Sequence, residues 1–543
     1  MSKFFIADPI HINEKNFGSL YDYLEESKST VILNKDRSDW LGLFGDYTSK
    51  QESLREEYEF LQTLSASELF SLSVLEVNIF NSARAEILSL LITLPNFNTS
   101  ALPNSKKELF ELILELEPEI LRWNMASAIQ WIKYWQPQIK EHNPKFVLVF
   151  SGSLIYARTL LELLKNSAPR AFVLESFFTG SDNYIEEKYE PIANNSNLKF
   201  KAYYRSLGTN ELPNERDRSR NKAINKILAA KNKNVVQPTK DSKQIFCNQN
   251  STVLIVGQVI NDFSVLEYKG IGLNTIHFYK SVISKLLKNT NFNIIFKAHP
   301  WERKKDNIKS PLTLDTLKAH FFEKEDNTDY EKRLFLTEDY NIKSIFQQTD
   351  YVLGLNSQAL LEAAFEGFQP IQFADAFYGN KGFTSDYTPA QVDQFIIDLS
   401  ESRIPKKMGI QQFSLYEEFI TKALQFSLVS AFPSGKIMLK SIFHLTPQIP
   451  LSSKGPAASA PTPAPATLPI KTLPKAEKKS TPPLATAKVT AKASVKITDL
   501  TPEDNRRKTN KKLTKLLRTP KKFFLDSKNA KIRWLHIFFW GKA

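Results

Sequence analysis

The chain has few of the residues that several common functions require. It contains one cysteine, Cys247, in 543 residues, which excludes an internal disulfide and fits a reducing compartment. No apolar run reaches the ~18 residues of a membrane-spanning helix. A GxGxxG fingerprint is missing, and so is any His, Cys and carboxylate cluster with metal-ligand spacing. We therefore expect neither a dinucleotide cofactor nor a metal site.

The positive charge is concentrated near the C-terminal end. Of the net charge of +14, residues 501–543 supply +10, with 13 Lys/Arg against 3 Asp/Glu, and residues 452–500 supply +6. Residues 1–451 are left with a net charge of −2. A nearly neutral body argues against nucleic-acid binding there, whereas a basic tail favours an anionic surface.

Two kinds of segment make up this C-terminal region. Residues 452–500 are rich in Ala, Pro, Ser and Lys, a composition that predicts an extended, disordered linker. Residues 501–543 then interleave cations with large apolar side chains, as in KKFFLDSKNAKIRWLHIFFW. This pattern predicts a basic amphipathic tail whose rings enter a membrane surface while its cations meet anionic lipid. RNA binding and packing against a partner helix are the alternatives.

The body alternates short apolar strands with amphipathic helices. KFVLVFSG, a helix and RAFVLESFFTG form one strand–helix–strand series, and a second series begins at TVLIVGQV and continues through NFNIIFKAHP and DYVLGLNS. This alternation predicts an α/β fold of two Rossmann-like domains facing a cleft, at residues 1–235 and 245–445. Doubly wound sheets bind ligands at the carboxyl ends of their strands, so polar residues at those ends are candidates for function.

Two strand ends of the second series carry such candidates. LIVGQVIND places Gln258 and Asp262 after one strand, and FKAHP places Lys297 and His299 at the end of the next. The two latter side chains would face an anionic ligand. A capping aspartate and a strand-end histidine bonded to the backbone are the alternative interpretations, and both stay open.

A third strand end and one strand of the first domain complete the set. GLNSQALLEAAFEG places Asn356, Ser357 and Gln358 at the start of a helix, where backbone N–H groups and a hydroxyl predict a phosphate site. Glu362 follows within that helix, in reach of a ribose, although an ordinary cap and a solvated glutamate would give the same sequence. Glu175 ends an apolar strand of the first domain and is expected to face the interdomain cleft.

Taken together, VLIVGQVINDFS, FKAHP and GLNSQALLEAAFEG resemble the capsule polysaccharide biosynthesis family of the bacterial β-Kdo transferase type. The resemblance covers roughly residues 250–385 and, less closely, 145–200. Family members often read K-P-H-P where this chain reads K-A-H-P, a departure that leaves the histidine in place. The resemblance implies a GT-B-like fold. It also implies a glycosyltransferase that needs no cofactor and moves Kdo from CMP-Kdo to a glycan or glycolipid acceptor of a capsule or lipopolysaccharide.

The resemblance also implies a role for each candidate. Asp262 would be the nucleophile, giving a covalent sugar–enzyme adduct and net retention, with Glu175 as the base for the acceptor hydroxyl. His299 and Ser357 would hold the CMP phosphate, and Glu362 the ribose. The motifs alone do not separate retention from inversion. The remaining donor-binding candidates are Gln258, Lys297, Asn356 and Gln358.

These expectations describe a cytoplasmic protein attached peripherally to the inner membrane by its tail. The alternatives are a transferase for sialic acid or another CMP-activated ulosonic acid, a polymerase that uses CDP-glycerol, and a non-catalytic capsule assembly or export protein. The acceptor, the linkage and the number of sugars added stay open. So does the role of residues 1–140, for which acceptor binding is the natural hypothesis.

Overall fold

Two six-stranded sheets form the framework of the computed structural model. The structure describes residues 2–444 except 35–40, 43, 95–96, 98–99, 231–242, 305–307, 309–311 and 324–329. All of them belong to one unit of the chain, residues 1–467. The predicted linker at 452–500 and the predicted tail at 501–543 lie outside the described residues.

The strands are short and mostly buried. In chain order they are β1 Lys3–Ile6, β2 Thr30–Leu33, β3 Ser73–Val74, β4 Val77–Asn78, β5 Phe146–Phe150, β6 Arg170–Ser176, β7 Asp182–Glu187, β8 Thr252–Val256, β9 Asn293–Lys297, β10 Leu334–Thr337, β11 Tyr351–Gly354, β12 Ile371–Gln372, β13 Ser385–Asp386 and β14 Val429–Ser430.

Helices connect and cover these strands. They are α1 Gly18–Glu26, α2 Arg55–Gln62, α3 Ala66–Ser71, α4 Ile79–Leu91, α5 Lys106–Leu116, α6 Pro118–His142, α7 Ile155–Leu164, α8 Lys201–Ser206, α9 Pro213–Ala229, α10 Phe263–Leu266, α11 Thr275–Asn289, α12 Thr313–Phe322, α13 Ile342–Phe346, α14 Ala359–Phe365, α15 Val392–Ser400, α16 Ile410–Lys422 and α17 Lys436–His444. Among these described helices, none combines the length and the hydrophobicity needed to cross a bilayer.

The first sheet has the order β14-β7-β6-β5-β1-β2. β1 lies between β2 and β5 and is parallel to both, while at the far edge β7 alone runs in the opposite direction, antiparallel to both β6 and β14. After β1 the chain therefore adds β2 on one side of β1 and later adds β5 on its other side. This reversal makes the β1/β5 boundary the switch point of the first sheet, the place where such sheets leave a crevice.

The second sheet has the order β10-β9-β8-β11-β12-β13 and is parallel throughout. This is the 3-2-1-4-5-6 order of doubly wound folds, with its switch point between β8 and β11. The predicted fold class, two Rossmann-like halves in a GT-B-like arrangement, is confirmed.

Both sheets are covered on their two faces, which explains the nearly continuous apolar runs of their strands. Helices α1 and α17 cover one face of the first sheet. The other face packs on α4, α6 and α7, where Trp131 and Trp135 of α6 are almost fully buried. On the second sheet, α11, α12 and α15 cover one face, and α13 and α14 cover the other.

The last described segment crosses back to the first half of the molecule. Strand β14 and helix α17 lie within the predicted second domain, 245–445, yet β14 pairs with β7 and α17 packs on the first sheet. Phe443 of α17 contacts the rings of Phe4, Phe146 and Phe172, with centroid distances of 5.0, 5.2 and 4.9 Å. The predicted range therefore includes elements of both sheets.

We expect Phe443→Ala to lower the free energy of unfolding by about 3 kcal/mol, because it removes a ring buried among the three phenylalanine rings and that of Tyr23. Urea denaturation followed by tryptophan fluorescence measures the change. Ile437→Ala on the same helix is the matched control, since Ile437 is 79% exposed, and it should cost less than about 0.5 kcal/mol. Equal losses in the two variants would contradict this packing.

Candidate active site

One cavity of about 720 Å³ receives residues from both halves of the molecule. The carboxyl ends of β1, β5 and β6 border it from the first sheet, and those of β8, β9 and β11 border it from the second. All nine residues that the sequence singles out line this cavity: Glu175, Gln258, Asp262, Lys297, His299, Asn356, Ser357, Gln358 and Glu362.

Gln258 and Asn356 span the switch point of the second sheet. Gln258 Nε2 donates to Asn356 Oδ1 at 2.8 Å, and the Asn356 backbone N–H donates to Gln258 Oε1 at 3.1 Å. Ser264 joins them, since its Oγ donates to Asn356 Oδ1 at 2.9 Å. Both amides are almost fully buried. The two side chains predicted to bind a donor sugar thus form the polar floor of the cavity, where they bond to each other.

Asp262 lies at the end of the loop that follows β8. Its Oδ1 accepts from the Ser264 N–H at 2.9 Å, so it caps the short helix α10 as well as lining the cavity. The two preceding residues are held by hydrogen bonds to both halves. The Asn261 side chain donates to the Ser89 carbonyl of the first half at 3.1 Å, and the Ile260 N–H donates to Glu302 of the second half at 3.0 Å. The carboxylate is therefore presented on a loop with little freedom to move.

The end of β9 carries a buried amine and an imidazole. Lys297 Nζ donates to the carbonyl of Glu338 at 2.7 Å and to that of Ala298 at 3.2 Å, and burial lowers the pKa of Lys297 to about 8. Its amine therefore bonds to backbone carbonyls at the wall of the cavity that the sequence predicts to face an anionic ligand. His299 Nδ1 accepts from the Trp301 N–H at 3.2 Å. In the neutral imidazole this bond assigns the ring proton to Nε2.

The start of α14 forms the third part of the wall. Ser357 Oγ accepts from the Ala359 N–H at 3.3 Å, and Gln358 accepts from the Phe178 N–H of the first half at 3.0 Å. Gln358 thereby links the two halves across the cavity. Glu362 lies in the first turn of the helix, and burial raises the pKa of its carboxyl.

Glu175 enters the cavity from β6 in the first half, opposite these three strand ends. Its Oε1 accepts from the Ser176 N–H at 2.9 Å. Burial and, to a smaller extent, the negative charge of Asp262 raise the pKa of Glu175 to about 7, while the Ser176 N–H, Ser151 and His11 oppose the shift. Asp262, which lies 87 positions from Glu175 in the sequence, is thus close enough to influence the Glu175 carboxyl.

Sequence reasoning missed an acid–imidazole pair in the same cavity. His11 lines the cavity after β1, and its Nδ1 lies 2.9 Å from Asp8 Oδ2. The bond to Asp8 raises the pKa of His11. The signal was available, because the loop ADPIHI follows the apolar strand KFFI. The rule that singled out the other strand ends applies equally to β1.

The described part of the chain contains no cluster of three or more His, Cys, Asp or Glu side chains able to hold a metal ion.

The middle of the chain matches a known family. The model of the capsule polysaccharide biosynthesis protein family matches residues 179–403, which include all the motifs from β8 to α14. The resemblance to that family is confirmed. No protein with a curated description matches the chain.

Several solved structures share part of the topology at low identity. "Thermosulfurimonas dismutans KpsC, beta Kdo 2,4 transferase" is 17% identical over 55% of this chain and 87% of its own, with a TM-score of 0.39. The "beta Kdo 2,7 transferase" of the same protein is 16% identical over 58% and 96%, with a TM-score of 0.34. The S. aureus MnaA–UDP structure is 10% identical over 81% and 95%, with a TM-score of 0.28.

Replacing Glu175 with glutamine should change how stability depends on pH. The pKa of the folded carboxyl, about 7, lies above the ordinary value of 4.5. The carboxyl therefore contributes stability that is fully present below pH 4.5 and lost as the pH rises through 7. Glutamine does not titrate, so the stability of Glu175→Gln relative to wild type should rise by about 2 kcal/mol between pH 5 and 8.

Urea denaturation of both proteins across this pH range measures the change. Glu52→Gln, at an exposed position on the first half, is the matched control and should follow the wild type at every pH. A stability difference between Glu175→Gln and wild type that stays constant from pH 5 to 8 would contradict the raised pKa.

Proposed function

We propose that this protein is a glycosyltransferase that moves Kdo from CMP-Kdo to a surface-polysaccharide acceptor with retention of configuration. The observation that carries the proposal is the convergence of Asp262 and Glu175, from opposite halves, in one cavity next to the motifs shared with the capsule family. A pair of carboxyl groups beside a sugar is the arrangement with which retaining glycosidases form a covalent intermediate.

In the first half-reaction, Asp262 attacks the anomeric carbon as the bond to the CMP phosphate breaks. Kdo is a 2-keto acid sugar, so positive charge develops at this carbon as CMP leaves, and the aspartate oxygen neutralises it by forming an ester. The loop bonds of Asn261 and Ile260 hold Asp262 in place without an ordering cost at the moment of reaction. His299 and the Ser357 hydroxyl would bind the departing phosphate, and Glu362 the ribose.

In the second half-reaction, an acceptor hydroxyl replaces the aspartate at the anomeric carbon. The hydroxyl loses its proton, its oxygen bonds to the sugar, and Asp262 recovers its carboxylate. Glu175, the base predicted from the sequence, borders the same cavity with a pKa of about 7, which suits a group that exchanges protons near neutral pH.

Intact-protein mass after mixing with CMP-Kdo tests the proposal. Wild type should gain the mass of one Kdo residue, and Asp262→Asn should gain none. Asparagine keeps an oxygen that can cap α10, so this variant loses the nucleophile with little effect on the local fold. Asp393→Asn, at a 76% exposed position, is the control and should form the adduct like wild type.

Other outcomes distinguish the alternatives. Release of CMP without an adduct, undiminished in Asp262→Asn, would contradict the covalent mechanism but keep the donor. Neither adduct nor CMP release from CMP-Kdo would reject this donor. A panel of CMP-sialic acid and CDP-glycerol then tests the rival enzymes, and inactivity with all donors would favour an assembly or export protein.

The proposal extends to the location of the enzyme. A tail with 13 Lys/Arg and 3 Asp/Glu beside several aromatic side chains has the composition of a peripheral membrane anchor on an anionic leaflet. The linker before it, at 452–500, would let the catalytic body reach an acceptor attached to the inner membrane on the cytoplasmic side.

Sedimentation with lipid vesicles tests the anchor. The full chain should bind vesicles of phosphatidylcholine and phosphatidylglycerol, not phosphatidylcholine alone, and salt should weaken binding because it screens the charges. Changing Lys521 and Lys522 to Gln should weaken binding roughly 30-fold. The same change at Lys478 and Lys479 in the linker is the control and should have less effect. Equal binding to neutral vesicles would contradict the electrostatic anchor.

A further inference from the structure

Asp8 and His11 form an oriented acid–imidazole pair that has no role in the proposed function. Asp8 Oδ2 lies 2.9 Å from His11 Nδ1, and Asp8 Oδ1 accepts from the His11 backbone N–H at 3.2 Å. Asp8 is only 5% exposed and also accepts from the Tyr156 hydroxyl. A carboxylate bonded to Nδ1 fixes the ring and directs its proton chemistry to Nε2.

The pair lies at the switch point of the first sheet. β1 and β5 meet there, and the His11 ring stacks on Phe150 of β5 with a centroid distance of 4.7 Å and an interplanar angle of 10°. The His11 side chain is 51% exposed and lines the cavity together with Glu175 and Asp262. The imidazole is therefore accessible to a substrate, while the carboxylate behind it is buried.

The surroundings of His11 favour uptake of a proton. The imidazolium would lie beside Asp8, in direct hydrogen-bonding contact, and within the field of Glu175, and both carboxyl groups raise the pKa of His11. The environment of Glu175 is different. Its Oε1 accepts from the Ser176 backbone N–H, and the nearby charge that favours its protonation is that of Asp262. Of the two groups, the imidazole is the one with a dedicated partner for the charge that it gains.

We propose that His11 Nε2 accepts the proton of the acceptor hydroxyl in the second half-reaction, with Asp8 as its positioning residue. This inference rests on the proposed function and gives His11 the role that the sequence assigns to Glu175. As the acceptor O–H bond breaks, its proton moves to Nε2. The oxygen then bonds to the anomeric carbon, the bond to Asp262 breaks, and the imidazolium later returns its proton to solvent.

The test separates the two half-reactions with CMP-Kdo as donor and water as acceptor. His11→Gln should form the covalent adduct at the wild-type rate, because this step needs no base, and its adduct should persist about 100-fold longer. Sodium azide should remove the adduct from His11→Gln and release an azido sugar, because azide attacks without losing a proton. His277→Gln, at an exposed position outside the cavity, is the control and should match wild type.

Two further variants make the assignment specific. Asp8→Asn should also slow loss of the adduct and be rescued by azide, which a change that merely loosened the fold would not allow. His11→Lys keeps a cation but at neutral pH supplies little base, so it should behave like His11→Gln.

Three results would overturn the proposal. They are azide rescue of Glu175→Gln but not of His11→Gln, slow adduct formation in His11→Gln, and wild-type turnover in His11→Lys. Failure of wild type itself to form an adduct would instead reject the proposed covalent function, so the two failures are distinguishable.

Discussion

A buried cation holds the two halves of this protein in the arrangement that creates its cavity. Arg84 of α4 is 2% exposed, donates to the Leu266 carbonyl at 2.8 Å and forms an ion pair with Glu267. A charge buried this deeply is tolerated only because it is paired, so separating the halves would leave it without partners. Leu266 is the last residue of the short helix α10, which Asp262 caps, and Glu267 follows it directly. This contact between the halves therefore lies next to the candidate nucleophile and helps to hold it in place.

The cavity is the meeting place of two switch points. In the first sheet, His11 follows β1 and Phe150 ends β5. In the second, Gln258 follows β8 and Asn356 follows β11. Each sheet leaves a crevice at its switch point, and the interface places the two crevices against each other. The candidate groups consequently come from separate strands of both halves, while the side chains at the floor of the second crevice bond mainly among themselves.

Strand ends could be predicted from the sequence because apolar runs and the polar residues after them are local features. This rule selects Glu175, Asp262 and His299, which are far apart in the sequence and line one cavity in the structure. It could not assign roles, because the partners that decide them are distant in the sequence. Gln258 and Asn356 are 98 residues apart. The carbonyl that binds Lys297 belongs to Glu338, which follows β10. Likewise, the apolar positions of α17 mark Phe443 as a residue that packs inside, but they do not show which of the two sheets it packs on.

A structural contact and a chemical role are compatible at this site. A carboxylate has two oxygens and about four acceptor positions, so Asp262 can cap α10 through Oδ1 and still present an oxygen to a substrate. The cap also limits the side-chain conformations of Asp262, as Asp8 does for His11. A group held in this way reaches its reactive position without a further loss of entropy. The bonds that make Asp262 and His11 look like ordinary structural residues are therefore compatible with a chemical role, because they hold each side chain in one position.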